Sequence, residues 1–172
     1  DNQIALVGQN LKYDYKVLSQ WGLKGANLHF DTMLAAWLLD SATGLYNLDY
    51  LAERYLNGYK TIPYNSVVEG KTGSFSDVPL EAAIRYGAED ADITWRLFEL
   101  FEEHLKKRHL EKLFRDLEMP LVKVLAEMEL QGILLDTQKL ATFDKEVVKR
   151  LEAIEKEIFS EVGFEFNLNS PK

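Results

Sequence analysis

The chain has 172 residues, of which 47% are hydrophobic and 28% are charged, and its formal net charge is −8. This composition is typical of a globular protein with one core, or with one domain and part of another. The sequence has no membrane-spanning apolar run, no signal peptide and no cysteine, which excludes disulfides and thiolate zinc sites and predicts a cytoplasmic protein without membrane contact. The acidic charge argues against a broad basic surface for nucleic acid, although metal ions can still bring phosphate to an acidic protein.

The first two predicted elements are a short strand and a helix. Residues 3–8 form an apolar run that ends at Gly8 and is typical of a buried parallel strand. The helix covers residues 11–21, with Asn10 as its N-cap. Its apolar residues share one face and Asp14 lies on that face, while the opposite face is polar and predicted to be solvated. A carboxylate that faces a core needs a cation, a hydrogen-bond donor or a metal ion, because burying it bare is costly.

The middle of the chain combines one strand and two helices with a long loop. Residues 58–78 show no sustained period and are predicted as that loop, which carries Tyr64. Tyr64 is a candidate for stacking on a nucleobase, and an ordinary surface aromatic is the alternative. The other elements are a strand at 27–30, a helix at 33–40 capped by Asp31 or Thr32, and a helix at 48–56 capped by Asn47.

Residues 82–101 predict an amphipathic helix with one anomaly. Asp90 lies near the centre of its apolar face, and Tyr86, one turn earlier, points its hydroxyl into the same space. Asp90 and Asp14 together predict a shared divalent-cation site, since Mg²⁺ binds one or two carboxylates together with water and phosphate. Two such ions about 4 Å apart clamp the attacking and leaving oxygens of a phosphodiester displacement. Pairing of each carboxylate with a buried Arg, Lys or backbone amide explains the pattern equally well, and the residues alone leave both readings open.

After residue 108 the chain becomes almost entirely charged amphipathic helix. We place a domain boundary there, which gives domains 1–108 and 109–172. Pro120 should kink or split the helix that contains it, because proline removes a backbone donor and clashes with the preceding turn. The elements predicted in this part are a helix at 110–131, a strand at 133–135 and a last helix at 137–162.

Several blocks resemble one family in the same order along the chain. They are VGQNLKYD at 7–14, HFDTMLAAWLLDS at 29–41, LAERYL at 51–56 and RYGAEDAD at 85–92, followed by EMPLVKVLAEMELQGILLD at 118–136 and FNL at 166–168. The first four resemble the 3′→5′ exonuclease domain of the bacterial DNA polymerase I family (family A DNA polymerases), and the last two resemble the start of its polymerase domain. The resemblance implies an α/β, helix-rich chain with an incomplete ribonuclease H-like exonuclease fold followed by amphipathic helices.

The resemblance also implies roles for individual residues. Asp14, in the second exonuclease motif, and Asp90, in the third, would be ligands of two Mg²⁺ or Mn²⁺ ions, and Tyr86 would position the attacking water. The substrate would be the single-stranded 3′ end of DNA, with Tyr64 near the terminal base. Residues that would contact or support this substrate are Gln9, Asn10, Tyr13 and Tyr64.

The family's first motif, an Asp-x-Glu pair, would lie upstream of residue 1 with the first strands of the sheet, and most of the polymerase domain would lie beyond residue 172. We therefore expect a fragment that lacks activity alone. Its parent would be a DNA-directed DNA polymerase that proofreads during DNA replication and repair. The alternative is a catalytically silent scaffold or protein-interaction module. An unpaired edge on the strand at 3–8 predicts self-association through it, a rearranged helix over it, or poor order.

Overall fold

The computed structural model describes residues 4–23, 25–68 and 73–168, and most of them are helical. The four elements predicted between residues 11 and 56 are confirmed to within one residue at each end, and Gln3 of the first predicted strand lies outside the described residues. The elements are β1 (Ala5–Gly8), α1 (Leu11–Gln20), β2 (Asn27–Asp31), α2 (Thr32–Leu39), α3 (Leu48–Tyr55), α4 (Tyr64–Val67), a 3₁₀ turn (Phe75–Asp77), α5 (Leu80–Lys107), α6 (Glu111–Leu113), a π-helical turn (Phe114–Glu118), α7 (Met119–Gln131) and α8 (Thr137–Val162).

The sheet of the described residues has two parallel strands. Ala5 pairs with Asn27 and Gly8 pairs with Asp31, with an irregularity in register between Leu6 and Val7. The parallel pairing was predicted, but the prediction that the first strand is buried was wrong, since Ala5 is exposed and the rest of β1 is only half-buried. The physical reason is that, within the described residues, β1 has a hydrogen-bonded neighbour on one side only.

The core of the chain is built around the C-terminal half of α5. Ile93, Leu97 and Phe101 follow one another along one helical face and are at most 1% exposed. They pack with residues of α2, α3 and β2, and the Phe101 ring meets Tyr55 edge to face at 4.9 Å. Each such side chain contributes about 1.5–3 kcal/mol through burial, so this face fixes the position of α5.

The helix around Pro120 is split, as predicted. The π-helical turn Phe114–Glu118 ends just before α7, whose second residue is Pro120. Proline cannot donate the backbone hydrogen bond that a regular α-helix needs at this point, so the preceding turn widens. The left-handed Gly132 follows α7 (φ 70°).

The chain divides into two compact units, Asp1–Gln131 and Gly132–Lys172. The boundary predicted at residue 108 falls inside the first unit. That residues 109–131 belong to a separate domain stays a prediction. In the second unit, the strand predicted at 133–135 was wrong, since these residues form no strand and Leu134 is 98% exposed. Asp136 caps α8 as predicted, accepting a hydrogen bond from Lys139 N at 3.0 Å. Within the described part of the chain, no helix is both long enough and apolar enough to span a membrane.

Candidate active site

An open groove with a volume of about 690 Å³ runs beside β1 and α5. We call it the carboxylate groove, because Asp14 and Asp90 both line it together with Gly8, Gln9 and Trp95. Asp14 comes from the first turn of α1, immediately after β1, and Asp90 comes from the middle of α5. The fold thus brings two carboxylates that are distant in sequence to one surface. The outer side of β1 lines the same groove, so no rearranged helix among the described residues covers this strand.

The helix that carries Asp14 packs differently from the sequence-based expectation. Of its apolar face only Leu11 is buried, and Asp14 itself is exposed at the groove. The face predicted to be solvated contacts α7 instead, because Lys12 and Lys16 each form an ion pair with Glu129 at 2.6 Å. These two lysines lower the pKa of the Glu129 carboxyl. Apart from Leu11, the apolar face is therefore exposed rather than packed on a core.

The electrostatic environment of Asp90 disfavours its charge. Partial burial raises the pKa of Asp90, and the negative charges of Asp49 and Glu89 raise it further, while a hydrogen bond with the Tyr86 hydroxyl acts in the opposite direction. Burial, followed by the charge of Asp90, raises the pKa of Tyr86 to about 12. Tyr86 therefore keeps its proton at neutral pH and serves as a hydrogen-bonding group, not as a base.

Asp14 and Asp90 fit the donor set of a hard divalent cation. Burial raises the pKa of Asp14 as well, and within the described residues neither carboxylate forms an ion pair with a lysine, arginine or histidine. The alternative of pairing with a buried lysine or arginine therefore finds no partner in this part of the chain, while a backbone hydrogen bond does act on Asp14 and lowers its pKa against the larger effect of burial. Two carboxylates alone suit Mg²⁺, which completes its shell with water and phosphate. No group of three or more potential ligands occurs among the described residues.

Asp31 positions the start of α1, a role that the sequence-based reading missed. Its carboxylate is 1% exposed and accepts hydrogen bonds from Asn10 N at 3.0 Å, Leu11 N at 2.8 Å and Met33 N at 2.9 Å. Asp31 therefore caps α2, as predicted, and α1 as well. The N-cap prediction for Asn10 was wrong, since its backbone is left-handed (φ 60°) and its side chain makes no capping bond. Parallel strands that pair side by side end at the same edge of the sheet, so the last residue of β2 lies close to the residues that follow β1. This relation is the signal that could have linked Asp31 to the start of α1.

The residues predicted beside Asp14 occupy different surroundings. Gln9 lines the carboxylate groove, but its amide is engaged at both ends, donating to Tyr46 O at 2.7 Å and accepting from the Thr32 hydroxyl at 2.5 Å. Because both ends of the amide already bind the protein, Gln9 is suited to holding the groove wall in place rather than to contacting a ligand. Asn10 and Tyr13 are not part of the groove lining, and the Tyr13 side chain is 62% exposed.

Tyr64 lies beside Tyr86, the residue whose hydroxyl interacts with Asp90. It begins the short helix α4 within the predicted loop, and its ring centroid is 6.2 Å from that of Tyr86. The Phe75 ring is nearly parallel to Tyr64, at 16° and 6.3 Å, and lies 5.8 Å from Tyr86. We call Tyr64, Phe75 and Tyr86 the aromatic trio. Phe75 was absent from the sequence-based candidates because its position next to Tyr86 depends on how the loop folds back.

Glu89 holds the segment before Tyr64 against α5. Its carboxylate accepts a hydrogen bond from the Tyr59 hydroxyl at 2.9 Å and another from Ile62 N at 2.6 Å. Both anchors precede Tyr64 by a few residues, so Glu89 restrains the approach to the aromatic trio. No local pattern indicated this role, because a glutamate in a charged helix is most often solvated.

Residues 1–106 match the sequence model of the 3′–5′ exonuclease of A-type DNA polymerases. The chain belongs to this exonuclease family. It is 48% identical to the DNA polymerase I of Borreliella burgdorferi over 97% of its own length, and 41% identical to the DNA polymerase I of Treponema pallidum over its full length. It spans only 18% and 17% of the lengths of these two relatives.

A solved structure supports the fold of this exonuclease-family chain. The structure is described as the POL domain of Pol1 from M. smegmatis in complex with DNA primer-template and dNTP. The similarity has a TM-score of 0.78 at 23% sequence identity and covers 99% of this chain and 27% of the other. The helix-rich α/β architecture expected from the sequence is thereby confirmed.

Proposed function

We propose that this chain contributes the Asp14 and Asp90 carboxylates and the Tyr86 hydroxyl to a metal-dependent 3′–5′ exonuclease site. The observation that carries the proposal is the lining of one open groove by Asp14 and Asp90, neither of which has a cationic partner among the described residues. Family membership supports the reaction type, and the hydrogen bond between Tyr86 and Asp90 supports a shared role.

Each residue of the groove has its own role in the proposed reaction. Asp14 and Asp90 would hold Mg²⁺ or Mn²⁺, which polarises the phosphodiester and increases the acidity of the attacking water when it is bound. Tyr86 keeps its proton and orients that water by hydrogen bonding. Gln9 supports the groove through its bonds to the backbone and to Thr32. The substrate is the single-stranded 3′ end of DNA, and the products are nucleoside monophosphates.

We further propose that the whole protein is a DNA-directed DNA polymerase that proofreads in DNA replication and repair, as the names of its relatives suggest. The chain alone carries only two of the four carboxylates that the family resemblance implies, so we expect no exonuclease activity from it alone. One observation favours the alternative of an interaction module: no described residue of α8 is buried, and the side chains of Ile133 and Leu134 are at least 90% exposed.

A chimaera tests the proposal. The segment that precedes the matched region in the Borreliella burgdorferi relative is fused upstream of residue 1, and release of nucleotides from a 3′-labelled single-stranded oligonucleotide is measured with Mn²⁺. We expect activity from the chimaera and none from the chain alone. The substitution Asp90→Ala should lower the rate at least 100-fold, in the range found when a group that stabilises a transition state is removed.

Asp92 provides the matched control for this experiment. It lies two residues further along α5, is exposed, and pairs with Arg96 at 2.7 Å instead of lining the groove. Asp92→Ala should leave the rate unchanged. A chimaera whose activity survives Asp90→Ala, or one that never becomes active although it folds, would overturn the exonuclease proposal and favour the silent module.

A further inference from the structure

Helix α1, which carries Asp14, has little side-chain packing to fix its rotation about its own axis. Of its residues only Leu11 is buried, while Val17 and Leu18 are exposed. The buried carboxylate of Asp31 binds the backbone at the start of α1 but reaches no further along the helix. Because a side chain moves sideways when its helix turns, the rotation of α1 determines whether Asp14 lines the carboxylate groove. The later turns of α1 therefore need another support.

Glu129 of α7 binds α1 on the side that is opposite to Asp14. Its Oε1 accepts a hydrogen bond from Lys12 Nζ and its Oε2 accepts one from Lys16 Nζ, both at 2.6 Å. Lys12 and Lys16 are one helical turn apart, and Asp14 lies midway between them, roughly 200° round the helix from each. One carboxylate thus holds α1 at two points, above and below the level of Asp14. An attachment at two points restricts rotation of the helix.

The helix that carries Glu129 is itself fixed by packing. Val122 and Ala126 lie one turn apart on one face of α7 and are both buried, and Ala126 precedes Glu129 by three residues. Packing between α7 and the start of α1 is incomplete, however, since a cavity of about 110 Å³ lies there, with Lys12, Val122 and Leu125 among its lining residues. We therefore expect the two ion pairs, more than side-chain packing, to set the orientation of α1.

We propose that Glu129 is a positioning residue, which keeps Asp14 at the carboxylate groove by holding α1 against α7. This inference rests on the proposed exonuclease function and deepens it, because Glu129 lies outside the region 1–106 that matches the exonuclease family. Glu129 does not line the groove and acts only through Lys12 and Lys16. The affinity of the groove for a divalent cation then depends on α7, in the segment that resembles the start of the polymerase domain.

The test uses the full 172-residue chain, labelled with ¹⁵N, and two amide NMR measurements. The first is hydrogen exchange in α1 without metal, and the second is the Mn²⁺ concentration that half-broadens the signals around Asp14. Glu129→Ala should accelerate exchange in α1 and raise that Mn²⁺ concentration roughly 2- to 30-fold, the range for a residue that acts on a site through others. The urea unfolding midpoint should change little, because partly exposed ion pairs contribute little to global stability.

Two comparisons separate the proposed role from a change of charge. Glu127→Ala is the matched control, since Glu127 is exposed on the same helix and forms no ion pair among the residues that the structure describes. It should leave both measurements unchanged. In a chain that carries Lys12→Met and Lys16→Met, Glu129→Ala should have no further effect, because its partners are already gone. Glu129→Gln keeps one acceptor oxygen and should give an intermediate result, which tests the inference even where the alanine variant does not fold.

The outcomes distinguish this inference from the proposed exonuclease site. If Glu129→Ala accelerates exchange in α1 but leaves the Mn²⁺ response around Asp14 unchanged, Glu129 only stabilises the helix and the inference is overturned. Unchanged exchange, or an equal effect of Glu127→Ala, overturns it too. A Mn²⁺ response that Asp14→Asn weakens and Glu129→Ala does not weaken overturns the role of Glu129 alone. A response that Asp14→Asn does not weaken overturns the metal site, and the inference with it.

Discussion

Replacing Asp31 by alanine should destabilise the first unit more than the loss of any ordinary helix cap. The Asp31 carboxylate is buried and accepts backbone hydrogen bonds at the starts of both α1 and α2. Asp31→Ala leaves those donors without an acceptor in a place that water reaches poorly. Asn47 is the matched comparison, because its exposed side chain caps only α3, through one bond to Tyr50 N at 2.9 Å.

The magnitude follows from the number of caps. One N-cap contributes about 1 kcal/mol, and up to about 2 kcal/mol where it is well buried. Loss of two buried caps lowers the free energy of unfolding, and part of that loss is recovered because alanine has no carboxylate to desolvate. The net decrease for Asp31→Ala should be about 3 kcal/mol. The loss for Asn47→Ala should be about 1 kcal/mol. Asp31→Asn keeps one acceptor oxygen but turns an amide N–H₂ towards the other helix, so its loss should lie between these values.

Urea unfolding followed by tryptophan fluorescence measures these differences. All three tryptophans, Trp21, Trp37 and Trp95, lie in the first unit, so the signal reports on that unit. With a denaturant slope of about 2 kcal/mol/M, the midpoint should fall by roughly 1.5 M for Asp31→Ala and by roughly 0.5 M for Asn47→Ala. Equal shifts for the two variants would refute the double cap, and Asp31→Asn keeps the comparison available if the alanine variant does not fold.

Three further predictions concern the groove and its surroundings. Gly8→Ala should cost about 1–3 kcal/mol, because its Cβ would overlap the leucine that begins α1, whereas Gly87→Ala meets no atom and should stabilise α5 by up to about 1 kcal/mol, both measured by urea unfolding. The folded pKa of Asp90 is raised, so its contribution to stability is present below the unfolded pKa and is lost as the pH rises through the folded pKa. Asp90→Asn should therefore raise the unfolding midpoint at pH 7 and change it little near pH 4, and a lowered midpoint at pH 7 would indicate a structural ion pair instead. Glu89→Ala should accelerate amide hydrogen exchange in the segment before α4 and leave exchange in α8 unchanged, and unchanged exchange before α4 would contradict the restraint.

Periodicity and capping signals predicted the local elements well. The caps at Asn47 and Asp136 and the split at Pro120 depend on residues close in sequence, so they could be derived without knowledge of the fold. The position of Asp14 and Asp90 on faces that should be buried also marked both residues before their surroundings were known. Their placement in one groove fits that reading.

What the sequence could not supply are relations between distant segments. Periodicity identifies two faces of α1 but does not say which face meets another helix, and the ion pairs of Lys12 and Lys16 with Glu129 decide this. The second cap of Asp31 requires the pairing of β1 with β2. The restraint by Glu89 requires the loop to return to α5. In each case the partner lies many residues away, where a local pattern carries no information.

Mn²⁺ titration of the ¹⁵N-labelled chain, followed by amide NMR, tests directly whether Asp14 and Asp90 form a metal site. Paramagnetic Mn²⁺ broadens the signals of nearby nuclei, so we expect selective broadening around Asp14 in α1 and Asp90 in α5. Asp14→Asn and Asp90→Asn should each weaken it, and Asp92→Asn should not. Broadening that spreads over the acidic surface and is the same in all three variants would contradict a metal site formed by Asp14 and Asp90.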